Sequence, residues 1–136
     1  GFKLKYRNIG NWTYGLTSTY DYDKSITLST ELFDTSKRIW KGSEQITLEN
    51  VTYHELGHFV AWITDRSDLT NKMQQLKKEE DKRHTENATE YFADSYMRWV
   101  LNRNQLKKEQ PRTYQYIKEQ IDYISKTPIS HWIGKY

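Results

Sequence analysis

Two of the chain's four histidines, His54 and His58, lie four residues apart with Glu55 between them, in the stretch TLENVTYHELGHFVAWITD. On a helix, residues four apart share one face, so both imidazoles can point at the same spot. Imidazole is a common zinc ligand, and Glu55 projects about 100° away from His54, where it can reach a water molecule held by the metal. The spacing H-E-x-x-H therefore predicts a catalytic zinc site on a helix.

A catalytic zinc site of this kind needs a third protein ligand. The class with three histidines would need Gly at position 61 and His at position 64, where this chain has Ala61 and Thr64. That class is excluded, so His84, His131 or a carboxylate further along the chain must complete the site. Because the chain has no cysteine, a thiolate ligand and a thiol nucleophile are excluded as well.

Residues 86–100, ENATEYFADSYMRWV, offer suitable carboxylates. Three acids recur at every fourth position beside an apolar helix face. Like charges four apart on a helix repel each other, so a nearby cation or histidine N–H would stabilise the row. The acids are Glu86, Glu90 and Asp94, and the apolar face is formed by Ala88, Phe92, Ser95 and Trp99.

The elements that position these residues predict an α+β fold. In residues 24–30, KSITLST, apolar and hydroxyl side chains alternate, which is typical of a half-buried strand. Residues 11–17 and 36–42 are weaker strand candidates. The whole chain, 1–136, has a length that suits a single domain, with a small twisted sheet in its N-terminal third.

The period of the apolar residues changes to a helical one after the sheet-rich part, 1–47, so the part from 48 to 136 is predicted to be mainly helical. Asn50 or Thr47 can cap the first helix. In the last helix, a stripe with spacing 3-4-3 is expected to lie in the core. Its members are Tyr114, Ile117, Ile121 and Ile124. The predicted helices cover about residues 50–65, 68–82, 86–104 and 112–126.

Composition excludes some partners. The net charge is only +3 and the two signs are interleaved, so we expect no nucleic-acid partner. No apolar run approaches the roughly 18 residues of a membrane span, so none is expected. The first ten residues lack the apolar region of a signal peptide. We expect a monomer.

The stretches YHELGHFVAW, NATEYFADSY and PRTYQYIKEQIDYI resemble, in this order, the catalytic domain of anthrax lethal factor and its relatives, including the secreted Pro-Pro endopeptidases. The resemblance extends from about Gly15 to about Ser125. It implies a zincin-like fold and a zinc endopeptidase of the gluzincin type, acting on a protein or peptide bound extended along an edge strand at residues 24–30. It also implies secretion, with a signal outside this chain and a cytoplasmic location as the alternative.

The resemblance also implies roles for individual residues. The zinc ligands of the family fall on His54, His58 and Glu90, and its general base falls on Glu55. Asp94 matches a carboxylate that orients a ligating histidine.

One position departs from the family, which has a tyrosine facing the scissile carbonyl where this chain has Arg83. Some group must donate a hydrogen bond to the oxyanion. We expect His84 to take this catalytic role, because it can donate while neutral. The alternatives are Arg83, a tyrosine from residues 127–136, and slow hydrolysis with zinc alone, in which case His84 is a solvated loop residue of the charged run 77–87.

Two other classes of protein stay open. Cytosolic metallopeptidases that cleave a repressor also carry H-E-L-G-H followed by a Phe-Ala helix, and a neighbouring gene for a DNA-binding repressor would favour that class. The other class is a non-catalytic module that uses zinc for stability or binding. A zinc-loaded chain that is inert on every peptide library would support it.

Overall fold

The structure is a computed structural model that describes residues 2–34, 36, 38–41, 44–64, 68–82, 84 and 86–126. It confirms an α+β fold, in which the strands precede the helices. The strands are β1 (Phe2–Arg7), β2 (Gly15–Tyr20), β3 (Asp23–Ser29), β4 (Ile39–Lys41) and β5 (Glu44–Ile46), with a short 3₁₀ helix, Thr30–Phe33, after β3. The helices are α1 (Leu48–Thr64), α2 (Leu69–Glu80), α3 (Ala88–Leu101), α4 (Arg103–Glu109) and α5 (Pro111–Lys126).

The predicted strand at residues 24–30 is β3, but it lies in the middle of its sheet. The strand order in this sheet is β1-β3-β2, with β3 parallel to β1 and antiparallel to β2. Leu28 pairs with Tyr6 on one side and with Gly15 on the other. The expectation that substrate lies along residues 24–30 is therefore wrong, because both edges of β3 are already hydrogen-bonded.

The remaining strands were less evident from the sequence. β2 and β4 begin later than their candidate segments, and β4 forms a separate hairpin with β5. β1 was not predicted, and its six residues are all exposed. The apolar residues of β1 therefore do not form a buried face. The strand is defined by its pairing with β3.

Four of the helices match the predicted segments. The structure divides one of these segments into two helices and shows which residue caps α1. The segment 86–104 is broken at Asn102, where α3 ends and α4 follows. Thr47, rather than Asn50, caps α1, since its hydroxyl accepts a hydrogen bond from the Asn50 N–H at 3.1 Å. No described helix has the length and apolarity that a bilayer span requires.

The main core lies among α2, α3 and α5, and a smaller one lies between α1 and β3. Ile117 is in the main core and Ile121 packs against it, as predicted, but the most buried face of α5 is rotated from the predicted stripe. On that face, Glu80 of α2 accepts hydrogen bonds from the Thr113 N–H at 2.6 Å and hydroxyl at 2.8 Å. The buried residues of α5 are Thr113, Tyr116, Ile117 and Gln120, whereas Tyr114, Ile121 and Ile124 are half-buried.

Candidate metal centre

A close contact between α1 and α3 brings the predicted site residues together. A Cβ atom added to Gly57 of α1 would lie 2.8 Å from the Ala93 Cα and 3.2 Å from the Tyr96 Cβ. Only glycine allows the two helices to approach so closely. As a result, His54 and His58 of α1 lie opposite the acids of α3.

Three donor atoms converge across this contact. The His54 Nε2 lies 2.8 Å from one carboxylate oxygen of Glu90, and the His58 Nε2 lies 3.2 Å from the other. One ligand atom from each residue lies within 4.8 Å of the others, so the three can hold a metal ion. Two imidazole nitrogens and one carboxylate oxygen are ligands that suit Zn²⁺. The residues present thus fit the predicted metal.

Asp94 lies directly beside this group. Its Oδ1 is 2.6 Å from the His54 Nδ1, and its Oδ2 is 2.6 Å from the His84 Nε2. An ionised carboxylate only accepts hydrogen bonds, so the His54 Nδ1 donates and the Nε2 faces Glu90. The contact is compatible with a carboxylate that orients a ligating histidine, and that role of Asp94 stays a prediction.

Hydrogen bonds between the histidines and the carboxylates shift the pKa values of these groups. Burial alone would lower the pKa of His54, but hydrogen bonds to Asp94 and Glu90 raise it to about 10. The hydrogen bonds from His54 and His58 hold the pKa of Glu90 well below its usual range. Burial would raise the pKa of Asp94, but His54 and His84 lower it to about 2. The carboxylates are therefore ionised at neutral pH, and a cation can replace the proton between them and the histidines.

Glu55 is on another side of α1, against β2. Its side chain is buried, and its Oε2 accepts a short hydrogen bond from the Thr17 hydroxyl. A Cβ atom on Gly15 would lie 2.8 Å from the Glu55 Cγ and 2.9 Å from its Oε1, so a side chain there would displace the carboxylate. Burial raises the pKa of Glu55, and the hydrogen bond from Thr17 partly opposes this.

The site lies where two surface hollows meet. One hollow has a volume of about 530 Å³ and reaches along β2 towards Trp62 and Leu69. The other, of about 740 Å³, is bordered by Trp12 and Trp40. Gly15, Glu55 and Glu90 line both. A ligand lying in both hollows would pass directly over the carboxylate of Glu55 and the three metal donors.

His84 takes a position that the sequence did not suggest. Its Nε2 contacts Asp94, and its ring packs edge-on against Tyr91 with 5.1 Å between the ring centres. Its role as an oxyanion donor stays a prediction. Arg83, His131 and the tail 127–136 lie outside the described residues.

Sequence reasoning missed the residues that support the site from outside its motif. Gly15 and Thr17, which contact Glu55, stand 38 or more positions before it, and nothing in their local pattern indicates that contact. Gly57 did carry a signal, since a glycine inside a helical pattern often marks close packing.

The fold and this group of donors define an α+β domain with a candidate metal site on two packed helices. The family model of anthrax toxin lethal factor, N- and C-terminal domain, matches residues 18–120. The match covers most of the chain, including all three metal donors, and the chain belongs to this family. A comparison with curated proteins gives no match.

Proposed function

We propose that the chain is a zinc-dependent endopeptidase that hydrolyses peptide bonds of a protein or peptide substrate. One observation carries the proposal. Glu55, a buried carboxyl with a raised pKa, lies next to three converging metal donors at the point where two hollows meet. A site built only for metal-dependent stability has no use for a carboxyl in that position.

His54, His58 and Glu90 would hold the zinc ion. When bound, zinc supplies a Lewis acid that lowers the pKa of a water ligand to about 7 and polarises a carbonyl oxygen. Three protein ligands are typical of catalytic zinc sites, whereas structural sites have four. Within the described part of the chain, three donors converge on this site, which favours catalysis over a structural role.

Glu55 would act as the general base and then as the general acid. Its carboxylate takes a proton from the attacking water and returns it to the departing amine. Burial raises its pKa towards the working pH, which makes both transfers easier. The Thr17 hydroxyl holds one carboxylate oxygen, so the orientation of the carboxylate is fixed from β2.

The substrate would lie along β2 instead of β3. Within the described residues, β2 pairs with β3 alone, and four of its residues line the smaller hollow: Gly15, Leu16, Thr17 and Thr19. An extended peptide can add to such an edge through main-chain hydrogen bonds. This pairing would give affinity with little preference for sequence, and it would bring the scissile bond close to Glu55.

The test compares Glu55→Gln with Glu49→Gln, a matched change at an exposed position in the first turn of the same helix. Zinc content is measured by atomic emission, and cleavage of a peptide library by mass spectrometry. We expect Glu55→Gln to keep about one zinc per chain and to lose activity by more than about 10²-fold, because an amide cannot transfer the proton. We expect the control to match the unsubstituted chain.

Two results would count against the proposal. If Glu55→Gln cleaves nearly as fast as the unsubstituted chain, Glu55 is not the base. If the unsubstituted chain binds zinc and cleaves no peptide in the library, the non-catalytic module becomes the better description.

A further inference from the structure

The two oxygens of Asp94 are shared between two histidines that come from different parts of the chain. The Oδ1 contacts the His54 Nδ1 and the Oδ2 contacts the His84 Nε2, both at 2.6 Å. The last torsion of an aspartate is only weakly restrained by its own rotamer preference. A single contact would leave the carboxylate free to rotate, whereas two contacts on opposite oxygens fix its plane.

His84 is itself held by the core. Its backbone N–H donates to the Asp81 carbonyl oxygen at 3.2 Å, and its ring packs against Tyr91. Tyr91 is 1% exposed, and its hydroxyl is 2.9 Å from the Thr113 hydroxyl of α5. The position of the His84 ring is therefore set by α3 and α5 as well as by its own loop.

Among the described residues, the His84 ring makes one hydrogen bond, between its Nε2 and Asp94. Its Nδ1 is buried and has no hydrogen-bond partner there. A buried polar atom without a partner destabilises the fold. The hydrogen bond to Asp94 therefore offsets part of the cost of burying the ring.

We propose that His84 is a positioning residue for the metal centre, which acts on His54 through Asp94. By fixing the carboxylate, His84 keeps the proton of His54 on Nδ1 and its Nε2 directed at the site shared with His58 and Glu90. The inference rests on the metal site of the proposed function but not on hydrolysis. It gives His84 a different task from donating to an oxyanion, since its Nε2 is occupied by Asp94.

The experiment measures zinc affinity in the full chain by competition with a chelating dye. His84→Ala should weaken zinc binding by about 10-fold or more, within the 10- to 100-fold range typical of residues that support a metal ligand. His84→Gln, whose amide can donate to Asp94, should recover most of the affinity. Lys82→Ala, an exposed position in the same loop, is the matched control and should bind zinc normally.

A double-mutant cycle shows whether His84 acts through Asp94. If it does, Asp94→Ala weakens zinc binding at least as much as His84→Ala, and the combined variant is little weaker than Asp94→Ala alone. Additive losses would overturn the inference. So would unchanged zinc affinity with a reduced kcat in His84→Ala, which would make His84 the oxyanion donor.

Two further measurements use the unsubstituted chain, so they do not depend on whether a variant at position 84 folds. In the zinc-loaded, unsubstituted chain, ¹⁵N NMR should find His54 protonated at Nδ1 and His84 protonated at Nε2, and any other tautomer of His54 contradicts the inference. Zinc stoichiometry should be about one per chain. Two zinc ions would mean that His84, Asp94 and Glu86, which also cluster, bind a second metal, and this would overturn the inference. All these readouts remain valid in Glu55→Gln, so failure of hydrolysis and failure of the positioning role are distinguishable.

Discussion

The side of helix α1 that faces α3 and the side that faces β2 have different surroundings. Towards α3 it is in close backbone contact, and His54 and His58 are paired with acids. Towards β2 it buries Glu55 beneath Gly15 and Thr17, beside an open cleft. One side thus closes on its partner and the other borders solvent-accessible space.

The proposed function accounts for the difference, because the two sides would bind different ligands. An ion needs donors fixed within a few tenths of an ångström, which a packed helix pair provides. A peptide needs an accessible strand edge and one well-placed carboxyl. We therefore expect substitutions on the α3 side to change metal affinity and stability, and substitutions on the β2 side to change turnover and substrate affinity.

The largest effect should come from Glu90 on the α3 side. Glu90→Ala removes the carboxylate ligand, one oxygen of which lies 2.8 Å from the His54 Nε2. Zinc affinity should therefore fall by more than about 100-fold, which exceeds the loss expected when a residue that only orients a ligand is removed. Glu86→Ala should be milder, since Glu86 is not in the group with His54 and His58. Zinc titration of both variants is the measurement, and the reverse ranking would make Glu86 the ligand.

Two glycine substitutions compare the sides directly. The added methyl of Gly57→Ala meets the Ala93 backbone, so overpacking should lower the free energy of unfolding by about 1–3 kcal/mol and weaken zinc binding. The added methyl of Gly15→Ala would lie 2.6 Å from the Val51 Cγ1 and 2.8 Å from the Glu55 Cγ, so it should also cost stability. It should displace the Glu55 carboxylate and lower turnover, while zinc affinity stays close to that of the unsubstituted chain. Zinc titration and turnover of both variants measure this, and equal losses of zinc affinity would remove the distinction.

Thr17→Val should shift a pH profile on the β2 side without changing zinc affinity. The Thr17 hydrogen bond lowers the pKa of Glu55, so its removal raises that pKa. Because the base must be ionised, the acid limb of kcat/KM should move to higher pH. A shift to lower pH, or a loss of zinc, would contradict the assignment.

The smallest effect on stability should come from Trp12, which is 90% exposed at the edge of the larger hollow. Trp12→Ala should change the free energy of unfolding by less than about 0.5 kcal/mol. If the indole contacts substrate, the variant should raise KM with little change in kcat. Tyr22→Ala, also exposed but outside both hollows, is the control. Equal KM values for the two variants would exclude Trp12 from the binding surface.

Features of this protein that depend on local spacing could be predicted from the sequence. A helical period places His54 and His58 on one face whatever surrounds them, and Thr47 caps that helix through a bond three residues away. The alternating pattern in residues 24–30 indicates a strand for the same reason, since side chains on successive residues point to opposite faces.

Contacts between residues far apart in the chain could not be predicted in this way. Glu86, Glu90 and Asp94 share one spacing, so their pattern alone cannot rank them, and the family resemblance was needed to select Glu90. In the structure, the crossing of α1 and α3 at Gly57 and Ala93 puts Glu90 opposite both histidines. Likewise, β3 is central only because β1 and β2 pair with it, and Thr17 reaches Glu55 across 38 positions of the chain. Such contacts depend on how whole elements pack, which no local period encodes.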